Sequence, residues 1–255
     1  MSLAGIAGLL ADRTRAAFCL ALLDGRAWTA GELARHAGVS PSTASEQLSR
    51  LVAGGLLAEE RQGRHRYVRI ADAATATLIE DLSSFAAGPA DAPAPRSLRE
   101  SGRLGAEARA RTCYDHLAGR LGVAVADAAL ARGLVADDAG LVLTAAGRDW
   151  LTALGVPPAG LAGPRPVIRG CLDWTERRTH LAGAVGAALC RRAFELDWVE
   201  RIGTGRALRI TPAGGRALRE RLGVDVAAWP APGAATTAPE GSAAHSSAGP
   251  GVRST

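Results

Sequence analysis

A chain of 255 residues, 47% hydrophobic and 22% charged, has the composition of an ordinary globular protein and the length for two compact domains. Every basic side chain is an arginine, and the formal net charge of +5 leans mildly towards an anionic partner. Four cysteines without a CxxC pair, no basic-then-apolar leader and no unbroken apolar run of about 18 residues exclude a disulfide scaffold and a spanning helix, and predict a cytoplasmic protein with no membrane contact.

At the start, Leu3, Ile6, Ala7 and Leu10 recur at helical spacing, and the pattern carries on to Leu23, where Asp24-Gly25 stops it. The stretch "TAGELARHAG" then opens on Thr29 with Glu32 three places later, a capping box in which two side chains satisfy backbone donors reciprocally. Gly38 suits the left-handed residue that ends this short helix, Ser40 the next cap, and Pro41 the first helical position. In "PSTASEQLSRLVAGG", Ala44, Leu48 and Leu51 form an apolar stripe, while Ser42, Thr43, Ser45, Glu46, Gln47 and Arg50 lie off it. Two short helices joined by about four residues, the second with a small-polar face, read as a helix-turn-helix. Its hydroxyls allow close approach to a groove, and Gln47 offers both a donor and an acceptor to a base edge.

Beyond Gly54-Gly55, "LLAEERQGRHRYVRI" alternates as two strands turning at Gln62-Gly63, with Arg61, Arg64, His65, Arg66 and Arg69 gathered around the turn. Such a cluster can straddle phosphates or probe a minor groove. Residues 1–88 hold nine arginines and nine acids, so this reading depends on placement and not on bulk charge. Taken singly, a capped helix pair is often plain packing and an arginine cluster is often plain solvation. Their order along the chain points to double-stranded DNA.

This stretch resembles the winged helix-turn-helix of ArsR-type bacterial transcriptional regulators, most specifically in "ADRTR", "ELARHAGVSPSTASEQLSRL" and the glycine-to-tyrosine run of the hairpin. The likeness covers about a third of the chain. It implies a homodimeric repressor on operator DNA, its interface formed by the first helix (Leu3, Ile6, Leu10) and by the helix after the hairpin (Leu78, Ile79, Leu82, Phe85). The face of "ADAATATLIEDLSSFA" could pack instead on a second domain. Metal-sensing members carry a cysteine pair in or just before the recognition helix, or Asp and His along the dimer helix; this sequence has neither. Any receptor for a signal must therefore lie further on.

Residues 88–97 are proline-rich and read as a linker; residues 226–255 are rich in Pro, Ala, Gly and Ser without apolar periodicity and read as a disordered tail. Between them "HLAGRLGVAVADAALARGLV" aligns without gaps on "HLAGAVGAALCRRAFELDWV", and "LVLTAAGRDWLTALGV" corresponds to "LRITPAGGRALRERLGV". Each copy reads as a helix, a second short helix, a strand pair and a closing helix capped by Thr144 or Thr211. The expected fold is thus mainly α with small β-hairpins (α+β). It comprises a winged domain over 1–87 and a duplicated, winged-helix-like domain over 98–225.

That second domain holds the candidate receptor. Cys113 and His116, three apart, would share one helical face, and Cys171, Asp173 and His180 approach them if the halves meet pseudo-symmetrically. Asp115 lies between the first pair. Three readings stay open: structural core, a pocket for a small-molecule effector or a redox signal, and a divalent metal site. The segment "CYDHLAG" also resembles one in ArsR-type regulators with long C-terminal extensions. An enzyme with Cys113 as nucleophile and His116 or His180 as base is the remaining alternative, but no phosphate loop, nucleophile elbow or HExxH accompanies it. The chain therefore reads as a regulator and not an enzyme. Cys190, beside Arg191 and Arg192, would be activated if exposed, and Cys19 should be buried.

Overall fold

The structure, a computed structural model, describes residues 2–63, 65–86, 97–203 and 205–230. It is the mixed class the sequence predicts, helices joined by small antiparallel hairpins. Among the described residues no helix is long and apolar enough to cross a membrane.

The continuous N-terminal periodicity breaks into α1 (Leu3–Leu10) and α2 (Arg13–Leu22). Asp12 is the cause, because its carboxylate accepts from the Arg15 backbone N–H at 3.0 Å and so starts a new helix. Arg15 in turn donates to the carbonyls of Leu9 (2.6 Å) and Gly8 (3.0 Å), placing a cation on the C-terminal end of α1. Next come β1 (Trp28–Thr29), α3 (Ala30–Ala37) and α4 (Pro41–Ala53). The Thr29–Glu32 capping box forms, Gly38 closes α3 at φ 67°, and Ser40 caps α4.

Strands β2 (Leu57–Gln62) and β3 (His65–Ile70) pair antiparallel with Gln62 opposite His65, so the turn falls one residue later than expected. The two-residue β1, missed in the sequence, adds to β3 and gives the order β1-β3-β2. Helix α5 (Ala73–Ala86) follows. Phe18, Leu22, Leu33, Leu48, Leu51 and Ile70 are fully enclosed at the centre of this first core.

Ser97, the one described residue of the expected linker, caps α6 (Leu98–Arg109). A single motif then occurs twice. The first copy is β4 (Arg111–Cys113), β5 (His116–Ala118), α7 (Gly119–Ala131), β6 (Val135–Asp137), β7 (Leu141–Leu143) and α8 (Ala145–Ala153). The second is β8 (Arg169–Leu172), β9 (Thr179–Ala182), α9 (Gly183–Glu195), β10 (Val199–Arg201), β11 (Leu208–Ile210) and α10 (Pro212–Leu222). Each is therefore hairpin, helix, hairpin, helix. The "HLA" triplets are strands, not helix starts, and Gly119 and Gly183 turn the chain into the helix at φ 70° and 79°. Thr144 and Thr211 cap the closing helices.

The copies interlock reciprocally, with α7 on β9 and α9 on β5. A Cβ on Gly122 would lie 2.3 Å from the Leu117 carbonyl and 3.3 Å from His180 Cβ. On Gly186 it would lie 2.4 Å from the Leu181 carbonyl and 3.1 Å from His116 Cβ. The repeated small residues thus bring each histidine against the other copy's helix, and one hydrophobic core runs through both copies.

The chain stays packed past the expected start of the tail at 226. Val226 is buried, and Trp229 sits between the guanidinium groups of Arg109 (5.3 Å) and Arg120 (5.1 Å). One valine and one tryptophan supply an anchor that averaged composition hides. The rest of the expected linker, and the tail from 231 with His245, lie outside the described residues.

Candidate functional site

The second helix of the helix-turn-helix leaves Ser42, Ser45, Glu46, Ser49 and Arg50 exposed and Thr43 and Gln47 half-buried. Not all of them are equally free. The Ser40 hydroxyl is committed to capping and to the Ser42 (2.9 Å) and Thr43 (2.8 Å) hydroxyls. Glu46 pairs with Arg50 at 2.7 Å, and Gln47 accepts from Arg15 Nη1 at 2.6 Å. Arg15, unnoticed in the sequence, thereby ties the recognition helix to α1. In the hairpin, Arg61 and His65 are exposed and Arg66 is half-buried; Arg64 lies outside the described residues. Arg61 stands directly across from Arg66, and the repulsion is relieved by Glu59, which reaches both at 3.3 Å and 2.7 Å. The two arginines hold its carboxyl below the usual range against the upward push of its desolvation. Such water-exposed pairs contribute little and exchange readily for phosphate. Arg66 also donates to Ser49 Oγ at 3.3 Å, bracing the hairpin against α4.

On the expected dimer face, Leu3, Leu82 and Phe85 are 83%, 46% and 91% exposed. Ile6 and Leu78 are half-buried, and Leu10 packs on the first core. Ile79 is buried within that same core, so it is a packing residue and not an interface residue. The other flank of α5 meets the second domain: Ser84 Oγ donates to the Leu172 carbonyl at 2.8 Å, and Arg169 donates to Thr77 at 3.1 Å and to Glu80 at 2.6 Å. Packing on the second domain therefore uses one flank of this helix, while Leu82 and Phe85 stay exposed on another.

Cys113 and His116 do not share a helical face. They are opposed residues of the β4–β5 hairpin, as Cys171 and His180 are of β8–β9. Two residues separate the cysteine from the histidine in the first hairpin and eight in the second, so copies aligned on their histidines without a gap do not bring the cysteines into register. The copies bring all four side chains together in the interior, with one ligand atom from each lying within 4.8 Å of the others. Their exposures are 7%, 1%, 2% and 0%.

At the centre, His116 Nε2 and His180 Nε2 are 3.1 Å apart, a contact that needs one donor and one acceptor. Burial presses on the His116 pKa, but hydrogen bonds to Asp115 and Cys113, with the Glu80 charge, lift it to about 9. Burial and the neighbouring imidazolium push His180 down to about 3. A charge on one ring therefore disfavours a charge on the other. The Cys113 thiol is driven well above its ordinary value by its hydrogen bond with Cys171 and by burial.

Around this centre lie the sequence candidates Asp115 and Asp173, together with Arg111, Arg165 and Glu80, which the sequence reading passed over. Asp173 is not a fourth-side ligand but an anchor, accepting from Arg111 (2.9 Å), the Gly119 N–H (2.6 Å) and the Thr175 hydroxyl (2.6 Å). Burial alone would raise its pKa; Arg111 and these donors hold it well below the carboxylate range. Arg111 is itself fully buried and stacks on Trp174 at 4.9 Å. Asp115 bridges His116 Nδ1 (3.4 Å) and Arg165 (2.6 Å). Glu80 reaches in from α5, 3.9 Å from both His116 Nδ1 and Cys171 Sγ. Only the helical spacing that turns Ala76, Ile79 and Glu80 inward together could have signalled it. Cys19 is buried as expected, whereas Cys190 is buried too and burial pushes its thiol up to about 12, so it is not an activated cysteine.

The exposed polar helix, its cap and the braced basic hairpin define a winged helix-turn-helix DNA-binding protein, and residues 10–60 match the family model described as a helix-turn-helix domain. Over 227 residues the chain is 39% identical to the HTH-type transcriptional regulator YdfF of Bacillus subtilis (strain 168), covering 88% of this chain and 99% of that protein. The chain belongs to the helix-turn-helix transcriptional regulators. Two solved structures are similar over the winged part. The homodimeric winged helix-turn-helix DNA-binding domain of Mb0332 from Mycobacterium bovis is 28% identical over 35% of this chain and 82% of its own, with a TM-score of 0.32. The cadmium metal-sensor CMTR from Mycobacterium tuberculosis is 34% identical over 36% of this chain and 96% of its own, with a TM-score of 0.28.

Proposed function

We propose that this regulator is a homodimeric repressor, and not an enzyme, which binds a palindromic operator and is modulated by a signal received in its duplicated domain. The observation that carries the reading is the α4 surface: the small hydroxyls of Ser42 and Ser45 are exposed beside the half-buried Gln47, with the Arg66-bearing hairpin braced next to them. Direct readout would come from Gln47, Ser42 and Ser45, and phosphate contacts from Arg50, Arg61, Arg64 and Arg66. Two-fold pairing through the exposed Leu3, Leu82 and Phe85 would place two α4 helices in major grooves about one helical turn apart. All four cysteines are buried, which leaves no exposed thiol for nucleophilic work. In the second domain the Cys-His centre has the chemistry to receive a signal.

The test is an electrophoretic shift with the DNA upstream of the protein's own gene, with the mass of the free and bound species measured in parallel. Two chains per duplex are expected, and the double variant Leu82→Glu/Phe85→Glu should sediment as a folded monomer that no longer shifts the DNA. A wild-type chain that binds that duplex as a monomer contradicts the dimer; one that shows no preference for it over unrelated DNA contradicts the repressor.

A further inference from the structure

We propose that Cys113, His116, Cys171 and His180 bind a single divalent ion of the zinc class in tetrahedral geometry, and that Glu80 carries its occupancy to the winged domain. The second half of this inference rests on the repressor reading above; the first does not. Two thiolates and two imidazoles are a donor set that selects a borderline, tetrahedral ion. Bond lengths of about 2.0 Å to nitrogen and 2.3 Å to sulfur imply ligand separations of about 3.3 and 3.8 Å. The two Nε2 atoms already stand 3.1 Å apart, and all four donors lie within 4.8 Å of one another. A divalent ion that displaces both thiol protons leaves a neutral complex, which suits an interior site.

The carboxylates behind the histidines point the same way. His116 Nδ1 faces Asp115 at 3.4 Å and Glu80 at 3.9 Å, and His180 Nδ1 faces Asp173 at 3.4 Å. A carboxylate behind the outer nitrogen is how proteins orient a metal-bound imidazole. Without an ion the arrangement is incomplete, for Glu80 Oε1 and His180 Nδ1 are both buried and neither has a hydrogen-bond partner. An ion held by both Nε2 atoms puts a proton on both Nδ1 atoms, one facing Asp173 and the other facing Asp115 and Glu80.

Glu80 makes this centre a lever. It belongs to α5, the helix that follows the basic hairpin and exposes Leu82 and Phe85. Its Oε2 accepts from Arg169 of β8 at 2.6 Å and lies 3.9 Å from Cys171 Sγ. A second tie runs from the β4–β5 turn, where the Tyr114 N–H donates to the Leu23 carbonyl beyond α2 at 2.7 Å. Drawing four donors onto one ion moves both hairpins, and with them α5 and the end of α2. The spacing of two recognition helices in a dimer changes accordingly.

The experiment titrates the full, reduced, chelator-treated chain with Co2+ and then Zn2+ in the absence of air. One Co2+ per chain is expected, with the intense visible bands of a tetrahedral thiolate site, displaced by Zn2+. Zinc-edge X-ray absorption of the wild type should fit two sulfurs at about 2.3 Å and two nitrogens at about 2.0 Å, a readout that needs no variant. Cys171→Ser should lose more than about 100-fold in affinity, beyond the effect of a supporting residue. Glu80→Gln should bind Co2+ more weakly, by up to about 10–100-fold, yet still with tetrahedral thiolate bands, while at saturating metal the change in operator affinity, about 5–150-fold in the wild type, disappears. A weak octahedral spectrum, oxygen-rich coordination, unchanged binding by Cys171→Ser, or a Cys113–Cys171 disulfide in a protein whose reduced form takes up no metal would each overturn the site. Tetrahedral binding with an operator affinity indifferent to metal overturns the lever alone. A chain that loads metal yet binds no operator in either state overturns the repressor reading and leaves the site standing.

Discussion

The hairpin before α5 and the two that open the repeats use one motif in opposite senses. Strands β2 and β3 turn their polar side chains to water, where Glu59 lightly holds Arg61 and Arg66 for any stronger anion to take. The β4–β5 and β8–β9 pairs turn Cys113, His116, Cys171 and His180 inward and enclose them with Arg111 and Asp173. A surface made of local neighbours can change its residues singly. A buried centre assembled from two copies has each charge balanced by a partner distant in sequence, so its parts stand or fall together.

This contrast can be broken experimentally. Removing Arg111 strands the Asp173 carboxylate in the interior, so Arg111→Ala should cost about 3–5 kcal/mol in denaturant unfolding. The matching Arg61→Ala, at 78% side-chain exposure, should leave the midpoint where it was. If both variants unfold alike, the buried ion pair is not what holds the inner hairpins. The crossing of the copies is sharpened by glycine substitution. Gly122→Ala drives a methyl group to 2.3 Å from the Leu117 carbonyl and should cost about 1–3 kcal/mol. Gly102→Ala, in α6 with open space around it, should stabilise by about 0.5–1 kcal/mol. Equal stabilities for those two variants would mean that the helices do not cross as closely as described.

The same contrast explains what the sequence made legible. In the winged region each structural signal sits within a few residues of what it controls: Thr29 with Glu32, Gly38 at the end of α3, Ser40 with Pro41 at the start of α4. What was missed there, the break at Asp12 and the two-residue β1, depends on a single cap or on a partner strand remote in sequence. In the duplicated region the repeat was visible, and the sequence named the four side chains that the structure brings together, but the three-residue strands carry too few residues to show an alternation, so a hairpin read as a helix. The correspondence of Cys113 with Cys171 was masked by a longer loop, which only strand register reveals. Glu80 and Arg111 join the centre through partners 36 and 62 residues away, contacts that no local pattern encodes.

The regulator reading is most directly tested by the salt dependence of operator binding. The wild-type chain is compared with Arg61→Ala and Arg66→Ala over a range of monovalent salt. Each variant should bind more weakly, and its plot of log K against log salt should be shallower by about one unit for each phosphate that the missing guanidinium would have neutralised. Slopes identical to the wild type would remove the β2–β3 hairpin from the DNA interface and, with it, the functional reading of the fold.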